Sequence, residues 1–440
     1  MVSALLLLGI AVAVFVGFNI GGSSTGVAFG PAVGSGLVPK LAAAGLMTVF
    51  ALLGAATAGR GVIKTLGGRI VPSSEFTLVV SVIILFFIGL ALLVSNTFGV
   101  PASTSMTAVG AIAGLGAATG TLQESVMARI VGWWLVAPVI AFWICAVVGR
   151  YLYPYLDAAF RIDQTERSIV TFDGLRPRIT EGTTGREVVG TVAVVVVACY
   201  MAFSAGASNA ANAVGPLVGS PEANMSIWVG ILLAGGAIGL GAFTIARRTL
   251  DTVGNDLTDL PILAALVVEV VSASLITFLS WIDIPASLAV SATMSIVGLG
   301  WGRATRTATI SDAVRGDRPE VSVDALAADV ERTPGGEGTD DETTGSGDDD
   351  STDERAANEG GRSGEDSTAD TGDRGDEKSV ERDGGPRSPD EVPEMGEEDE
   401  DLLAEDLFDP GTTGRVIFFW ILTPSLSFAA SYALFRFVPL

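Results

Sequence analysis

The sequence predicts an all-α polytopic membrane protein: two homologous repeats of transmembrane helices with broken or re-entrant segments, plus a disordered acidic insert. Three observations carry this expectation. Of 440 residues, 49% are hydrophobic, gathered into runs long enough to cross a bilayer. A polar stretch of small residues, "GGSSTGVAFGPAVGSG" at 21–36, recurs as "GASNAANAVGPLVGSP" at 206–221. The net charge of −23 falls almost wholly in one window.

A spanning helix takes about 20 apolar residues. The segments that suit are 4–20, 38–59, 77–97, 130–150, 188–204, 225–246, 261–281 and 415–435. The first is read as a membrane helix rather than a signal peptide, because Met1-Val2-Ser3 carries no basic charge and the polar stretch after it returns inside the body of the chain. These segments give a first membrane repeat at 1–150, a polar linker at 151–187 and the main part of a second repeat at 188–306. An acidic loop at 307–412 and a last transmembrane helix at 413–440 complete the chain.

Residues 317–409 hold 34 Asp+Glu against 8 Lys+Arg, a balance of −26, which leaves about +3 for everything else. Such a window cannot bury enough apolar surface to fold and is expected to be disordered. Of 26 basic residues only Lys40, Lys64 and Lys378 are lysine. That arginine bias with acidic excess points to a salt-rich, halophilic cytoplasm, where acidic surfaces stay soluble. The chain has no His, which removes His-based catalysis, metal ligation and pH switching. Cys145 and Cys199 stand singly in apolar runs, as core or lipid-facing residues do. No nucleophile–base pair, metal cluster or P-loop is present, so neither an enzyme nor a metal cofactor is expected, and nothing suggests a nucleic-acid partner.

The two polar stretches share eight of sixteen positions, among them Gly21/Gly206, Ser23/Ser208, Pro31/Pro216 and Ser35/Ser220. The echo continues in order. "VPASTSMTAVGAIAG" (100–114) answers "LAVSATMSIVGLGWG" (288–302), with Ser103 opposite Ser291, and "WLVAP" (134–138) answers "WILTP" (420–424). Paired interrupted helices in two halves point to a transporter's binding site, and broken helix survives in a membrane only where protein or a water-filled cavity surrounds it. Both stretches are therefore expected to break their helices and face each other. Small-residue helix packing is the alternative, and it accounts for Gly30, Gly34, Gly110, Gly114, Gly298 and Gly302.

The polar groups near the presumed midplane are Ser23, Ser24, Thr25, Ser103, Thr104, Ser105, Ser208, Asn209, Asn212, Ser291 and Thr293, all neutral. Pro101 before "ASTS" reads as a helix start, and Pro285 with Ser287 marks a second start one turn earlier than its counterpart. A helix N-terminus offers free N–H groups and about half a positive charge, enough to hold an oxyanion without Lys or Arg. A hydroxyl that bonds back to the carbonyl four residues earlier would instead take no part in binding. Glu269, in "LVVEVVSASL", is the one carboxylate deep in an apolar run. Such a residue is costly and marks ion coupling, unless it is held protonated or reaches the helix end. Asp283, at a segment edge, reads as interfacial.

Together these stretches resemble the inorganic phosphate transporter (PiT) family, whose signature is a duplicated Gly-Ala-Asn-Asp-x-Ala-Asn-x-x-Gly element, each copy followed by Pro-x-Ser-Thr-Thr-His-x-x-Val-Gly. Here they map to "GGSSTGVAFG" and "GASNAANAVG", then to "PASTSMTAVG" and "AVSATMSIVG", with further similarity through "IWVGILLAGGAIGLG" and 246–258. The resemblance spans nearly all of the membrane portion and excludes the acidic insert. It implies inverted-topology repeats, a homodimer, and cation-coupled uptake of inorganic phosphate or a similar oxyanion, with Na⁺ or H⁺ as coupling ion. The departures are specific. The family's Asn-Asp pair is Ser23-Ser24 in one copy and Ser208-Asn209 in the other; the motif's last Asn is Val27 in the first copy and Asn212 in the second. The Phe-Glu of the next helix is Phe50-Ala51, and both motif His are Met, at 106 and 294. Glu269 matches a family Glu. With those carboxylates gone, cation coupling falls to Glu269, Asn209 and Ser24.

The expected function is a secondary active transporter of phosphate or a related tetrahedral oxyanion, alternating access between two repeats in the cell membrane. The alternatives are a transport-incompetent sensor or regulator of the same build, and a permease for a different anion such as sulfate. Arg303 and Arg306 flank the long loop against a single Arg129 in its counterpart, which puts 303–414 in the cytoplasm by the positive-inside rule.

Overall fold

The computed structural model describes residues 3–97, 103–160, 170–173, 176–179, 185–244, 261–307 and 410–438. They belong to one unit. Pro101, the 246–258 stretch and the acidic loop (apart from Thr307 and 410–412, which lie in helices) fall outside them.

The described residues are almost entirely helical. The first five helices are α1 (Ala4–Gly34), α2 (Lys40–Ala56), α3 (Gly59–Lys64), α4 (Leu78–Thr97) and α5 (Thr104–Thr119). There follow α6 (Glu124–Val147), α7 (Tyr153–Phe160), α8 (Gly185–Gly219) and α9 (Ile227–Thr244). The last three are α10 (Ile262–Trp281), α11 (Leu288–Thr307) and α12 (Pro410–Phe437). Wider π-type turns extend α3 through Thr65–Arg69 and α6 through Val148–Leu152. The linker holds α7 and a small antiparallel hairpin, β1 (Val170–Asp173) on β2 (Arg176–Ile179), with Val170 opposite Ile179. Among the described residues, five helices are long and apolar enough to span a membrane, and the pair Lys40–Ala56 and Gly59–Arg69, bent by 65°, makes a broken sixth. The protein is a multi-pass membrane protein.

Helix ends follow local chemistry. The Ser3 side chain caps α1 by accepting the Leu6 N–H at 3.1 Å. Pro39 precedes α2, where its missing N–H costs nothing. Gly120 closes α5 in the left-handed region at φ 72°, which a residue with a Cβ enters only with strain.

The expected breaks at 21–36 and 206–221 are absent. α1 runs unbroken for 31 residues and α8 for 35, straight through both polar stretches. Each proline, Pro31 and Pro216, falls in the last turn, so the helix ends soon after the bond it removes. The polar side chains are absorbed without unwinding: Asn19 donates to Phe15 O, Ser23 to Asn19 O and Thr25 to Gly21 O. The breaks fall elsewhere, at the α2–α3 bend and in the short connection 282–287 between α10 and α11.

Packing is crosswise. α1 lies on α9 while α2 lies on α8; α5 lies on α12 while α6 lies on α11. Glycines set these approaches. Gly21 meets the backbone of Ile238 and Gly206 that of Ala51; Gly54 meets Phe203, and Gly241 meets Phe18. Gly110 and Gly114 meet Pro424 and Phe428, and Gly298 and Gly302 meet Phe142 and Ala146. Small residues allow such backbone contact, which in lipid replaces the hydrophobic effect as the force between helices. Hydroxyls add to it: Ser427 and Ser431 of α12 donate to Thr107 O and Ala111 O of α5, at 3.1 and 2.6 Å.

Candidate functional site

Two helix starts converge. The Ser103 hydroxyl caps α5 by accepting the Met106 N–H at 3.2 Å, and Thr107 donates back to Ser103 O at 2.9 Å. Ser287 does the same for α11, accepting the Val290 N–H at 3.3 Å. The cap of the second helix is therefore Ser287, one turn before Ser291, the residue that sequence alignment sets opposite Ser103. Met106 from the first turn of α5 shares a cleft with Ser287 and Ser291 from the start of α11. Trp133 and Trp134 of α6, with Ile276 and Leu279 of α10, close its walls.

Behind the cleft runs a chain of hydrogen bonds whose direction one carbonyl fixes. Ala286 O can only accept, so the Ser208 hydroxyl of α8 donates to it at 2.6 Å. Ser208 Oγ is then left to accept from Ser105 Oγ, 3.3 Å away. Ser105 in turn accepts from Asn212 Nδ2 at 3.1 Å. The same amide nitrogen donates to Asn209 Oδ1 at 3.3 Å. This order turns Asn212 Oδ1 away, and it is buried with no donor.

The connection that carries Ala286 is clamped from several sides. Arg129 of α6 donates to Ile282 O at 2.8 Å and Trp134 to Pro285 O at 2.8 Å. Thr65 donates to Asp283 O at 2.9 Å, and Arg69 forms an ion pair with the Asp283 carboxylate. Asp283 takes φ 66°, a left-handed conformation unusual outside glycine. A Cβ on Gly61 would collide with the Asp283 carboxylate, so that glycine admits the pair. Linear spacing gives no sign of these clamps, because their donors sit about 150–220 residues from the carbonyls they reach.

Two buried groups at this convergence that can donate have no partner among the described residues. One is Ser291 Oγ, on a residue 2% exposed, inside the cleft. The other is Trp420 Nε1 of α12, whose ring packs against Met106 and Val290. The repeated Trp-x-x-x-Pro element pointed to Trp134 and Trp420 without revealing what they do. Trp134 Nε1 is satisfied by Pro285 O, whereas Trp420 Nε1 has no partner among the described residues.

The structure thus joins Ser105, Ser208, Asn209 and Asn212 directly, and sets Ser103, Ser287 and Ser291 at the adjoining helix starts. Thr104 is half-buried at the first residue of α5, and Thr293 is buried within α11. Ser23 and Thr25 are not joined to the cluster; their hydroxyls bond back within α1, and Ser24 beside them is half-buried. Glu269 also stands apart. It lies seven residues before Ile276 on α10, about 10 Å of helix, buried with Oε2 unpartnered. One turn along, Ser272 bonds Ser295 of α11 at 3.2 Å. Among the described residues no group of three or more metal-ligating side chains forms. The cluster can therefore offer an anion hydroxyl and indole donors and two helix poles, with no cation of its own.

Residues 20–318 match the model of the phosphate transporter family. A sulfate permease of Bacillus subtilis (strain 168) is 31% identical over 290 residues, 66% of this chain and 75% of that protein. A putative phosphate permease of Haemophilus influenzae is 24% identical over 362 residues, covering 66% of this chain and 86% of the relative. One from Pyrococcus furiosus is 24% identical over 360 residues, 68% and 86% respectively. Among solved structures, a sodium-dependent phosphate transporter shares the fold with a TM-score of 0.55 and 19% identity, over 74% of this chain and 97% of that one.

Proposed function

The chain belongs to the phosphate transporter family, and from that premise we propose that it is a secondary active transporter of inorganic phosphate or a related tetrahedral oxyanion. One observation carries the reading: the capped starts of α5 and α11 share a cleft beside a hydrogen-bonded polar cluster in which buried donors stand unpartnered. An oxyanion would supply those donors with acceptors. Neutral donors suit transport, since the ligand must also leave. Ser103, Thr104, Ser105, Ser208, Asn209, Asn212, Ser291 and Thr293 form the substrate side in this proposal. In this proposal Ser23, Ser24 and Thr25 join it from α1, Ser23 and Thr25 by releasing the α1 carbonyls to which their hydroxyls bond.

The family is one of transporters rather than enzymes. Coupling to Na⁺ or H⁺ is assigned to Glu269, Asn209 and Ser24. A buried carboxylate oxygen without a partner is costly unless a cation or proton joins it, and Glu269 fits that description. The crosswise packing of α1 with α9 and α2 with α8, mirrored by α5 with α12 and α6 with α11, supports two repeats that exchange helices and rock against each other. We read the assembly as a homodimer in the cell membrane, with the acidic loop cytoplasmic. A relative described as a sulfate permease keeps sulfate within the substrate class.

The test is uptake by the purified full chain in proteoliposomes, with labelled phosphate, sulfate and arsenate, under Na⁺ or H⁺ gradients imposed in turn. Gradient-driven accumulation of at least one oxyanion is expected. Counts matching empty vesicles for all three would remove the transport reading and favour a sensor.

A further inference from the structure

We propose that the site selects tetrahedral dianions that carry no proton, the sulfate class, over proton-bearing oxyanions such as phosphate and arsenate. The inference rests on the transport reading above and concerns the same cleft. The difference between the two classes is one of hydrogen-bond sense. Every oxygen of sulfate is an acceptor at neutral pH, whereas phosphate keeps at least one O–H, which needs an acceptor wherever water is excluded. A carboxylate is the strong acceptor for that proton, because a hydrogen bond to an ionised group is about twice as strong as a neutral one. Beside a proton-free dianion the same carboxylate would only repel.

The cleft and its cluster hold no carboxylate among the described residues. Asp283, closest in sequence to Ala286, is turned to Arg69. Glu222 accepts the Leu78 N–H, well away on the chain. Glu269 lies seven residues, about 10 Å of helix, down α10 from Ile276, the nearest cleft-lining residue of that helix. Among the described residues, the unpartnered buried groups at the helix starts are Trp420 Nε1 against Met106 and Val290, which can only donate, and Ser291 Oγ, itself 2% exposed and lining the cleft, a neutral hydroxyl that can donate to any oxygen of the anion but gives a phosphate proton no charge assistance. The unpartnered acceptor, Asn212 Oδ1, sits on the α8 side of the chain and is a neutral amide oxygen. It can ligate a coupling cation, but it offers a phosphate proton no charge assistance. A phosphate entering this site would bury an O–H without its best partner; sulfate would bring no O–H to be paired.

Competition uptake tests this. The full chain in proteoliposomes is loaded with labelled sulfate against unlabelled sulfate, selenate, molybdate, phosphate and arsenate. Selenate and molybdate are expected to compete within a few-fold of sulfate, with phosphate and arsenate weaker by about tenfold or more, the scale of one hydrogen bond to a charged group. Asn209→Asp keeps the oxygen that accepts from Asn212 and adds a carboxylate; it is expected to shift the sulfate-to-phosphate preference about tenfold toward phosphate. Phosphate competing as well as sulfate would overturn the inference and leave the transporter intact, as would an unchanged preference in an active Asn209→Asp protein. If Asn209→Asp fails to insert, the wild-type ranking decides alone. Uptake of no oxyanion would remove the transport reading and this inference with it.

Discussion

Replacing Gly114 by Ala tests whether backbone contact between α5 and α12 holds the substrate-facing end of α5 in place. A Cβ built at Gly114 lies 2.5 Å from Phe428 O and 2.9 Å from both Ser431 Cβ and Tyr432 N, where ordinary contact begins at 3.4 Å. The helices must separate by roughly 0.9 Å. On the same face, Ser427 reaches Thr107 O at 3.1 Å and Ser431 reaches Ala111 O at 2.6 Å. That separation breaks the first bond and leaves the second marginal. Two such bonds in a membrane contribute about 1 kcal/mol together, and the lost packing costs about 1–3 kcal/mol. Alanine returns up to about 1 kcal/mol of helix propensity. The net is a destabilisation of about 1–3 kcal/mol. Gly132→Ala is the control: nothing lies within 4 Å of its Cβ, so it should be neutral or slightly stabilising. Cys145 and Cys199 are both free and buried, so a thiol-reactive dye reports unfolding of the detergent-solubilised protein on heating. Gly114→Ala is expected to melt lower and Gly132→Ala no lower than wild type. Equal midpoints for wild type and Gly114→Ala would show that α5 and α12 do not meet at this glycine.

Other expectations follow from single contacts. Ser208→Ala removes the donor to Ala286 O and interrupts the chain from Asn212; it should cost about 1–2 kcal/mol and depress oxyanion uptake, with the same melt and uptake assays as the check. Ser291→Ala should leave the melting midpoint almost unmoved, because the hydroxyl has no partner to lose, while raising the KM for uptake about tenfold. An unchanged KM would take Ser291 out of the site. Glu269→Gln should abolish gradient-driven accumulation yet preserve oxyanion exchange at equal concentrations across the vesicle. Loss of both would mean that Glu269 supports the fold or the substrate site rather than coupling.

Much of the fold was legible because bilayer physics writes it along the chain. Apolar runs of the required length announced α1, α2, α4, α6, α8, α9, α10 and α12, while the Pro- and Ser-marked starts announced α5 and α11; the repeated stretches fall on α1 and α8 and on α5 and α11. Helix caps were legible too, since Ser103 and Ser287 stand where short hydroxyl side chains stop a helix from fraying. The polar stretches misled. Gly, Ser and Asn are equally the composition of a broken helix and of one pressed against a neighbour, and local sequence cannot distinguish them. The neighbour decides: with Ile238 against Gly21 and Ala51 against Gly206, an intact helix satisfies its own backbone and leaves the small residues as contact points.

What the sequence determined by itself is therefore the membrane class, the recurrence of three motifs in the same order and the absence of any carboxylate or basic residue in them. Those are properties of composition and spacing. What tertiary structure alone decided is which hydroxyls meet. Ser208 reaches Ala286 across 78 residues and Ser105 across 103, while its near copy Ser23 bonds back into its own helix. The physical reason is that a hydroxyl takes whichever carbonyl or hydroxyl lies within about 3 Å, and only the crossing of helices distant in the chain sets that distance.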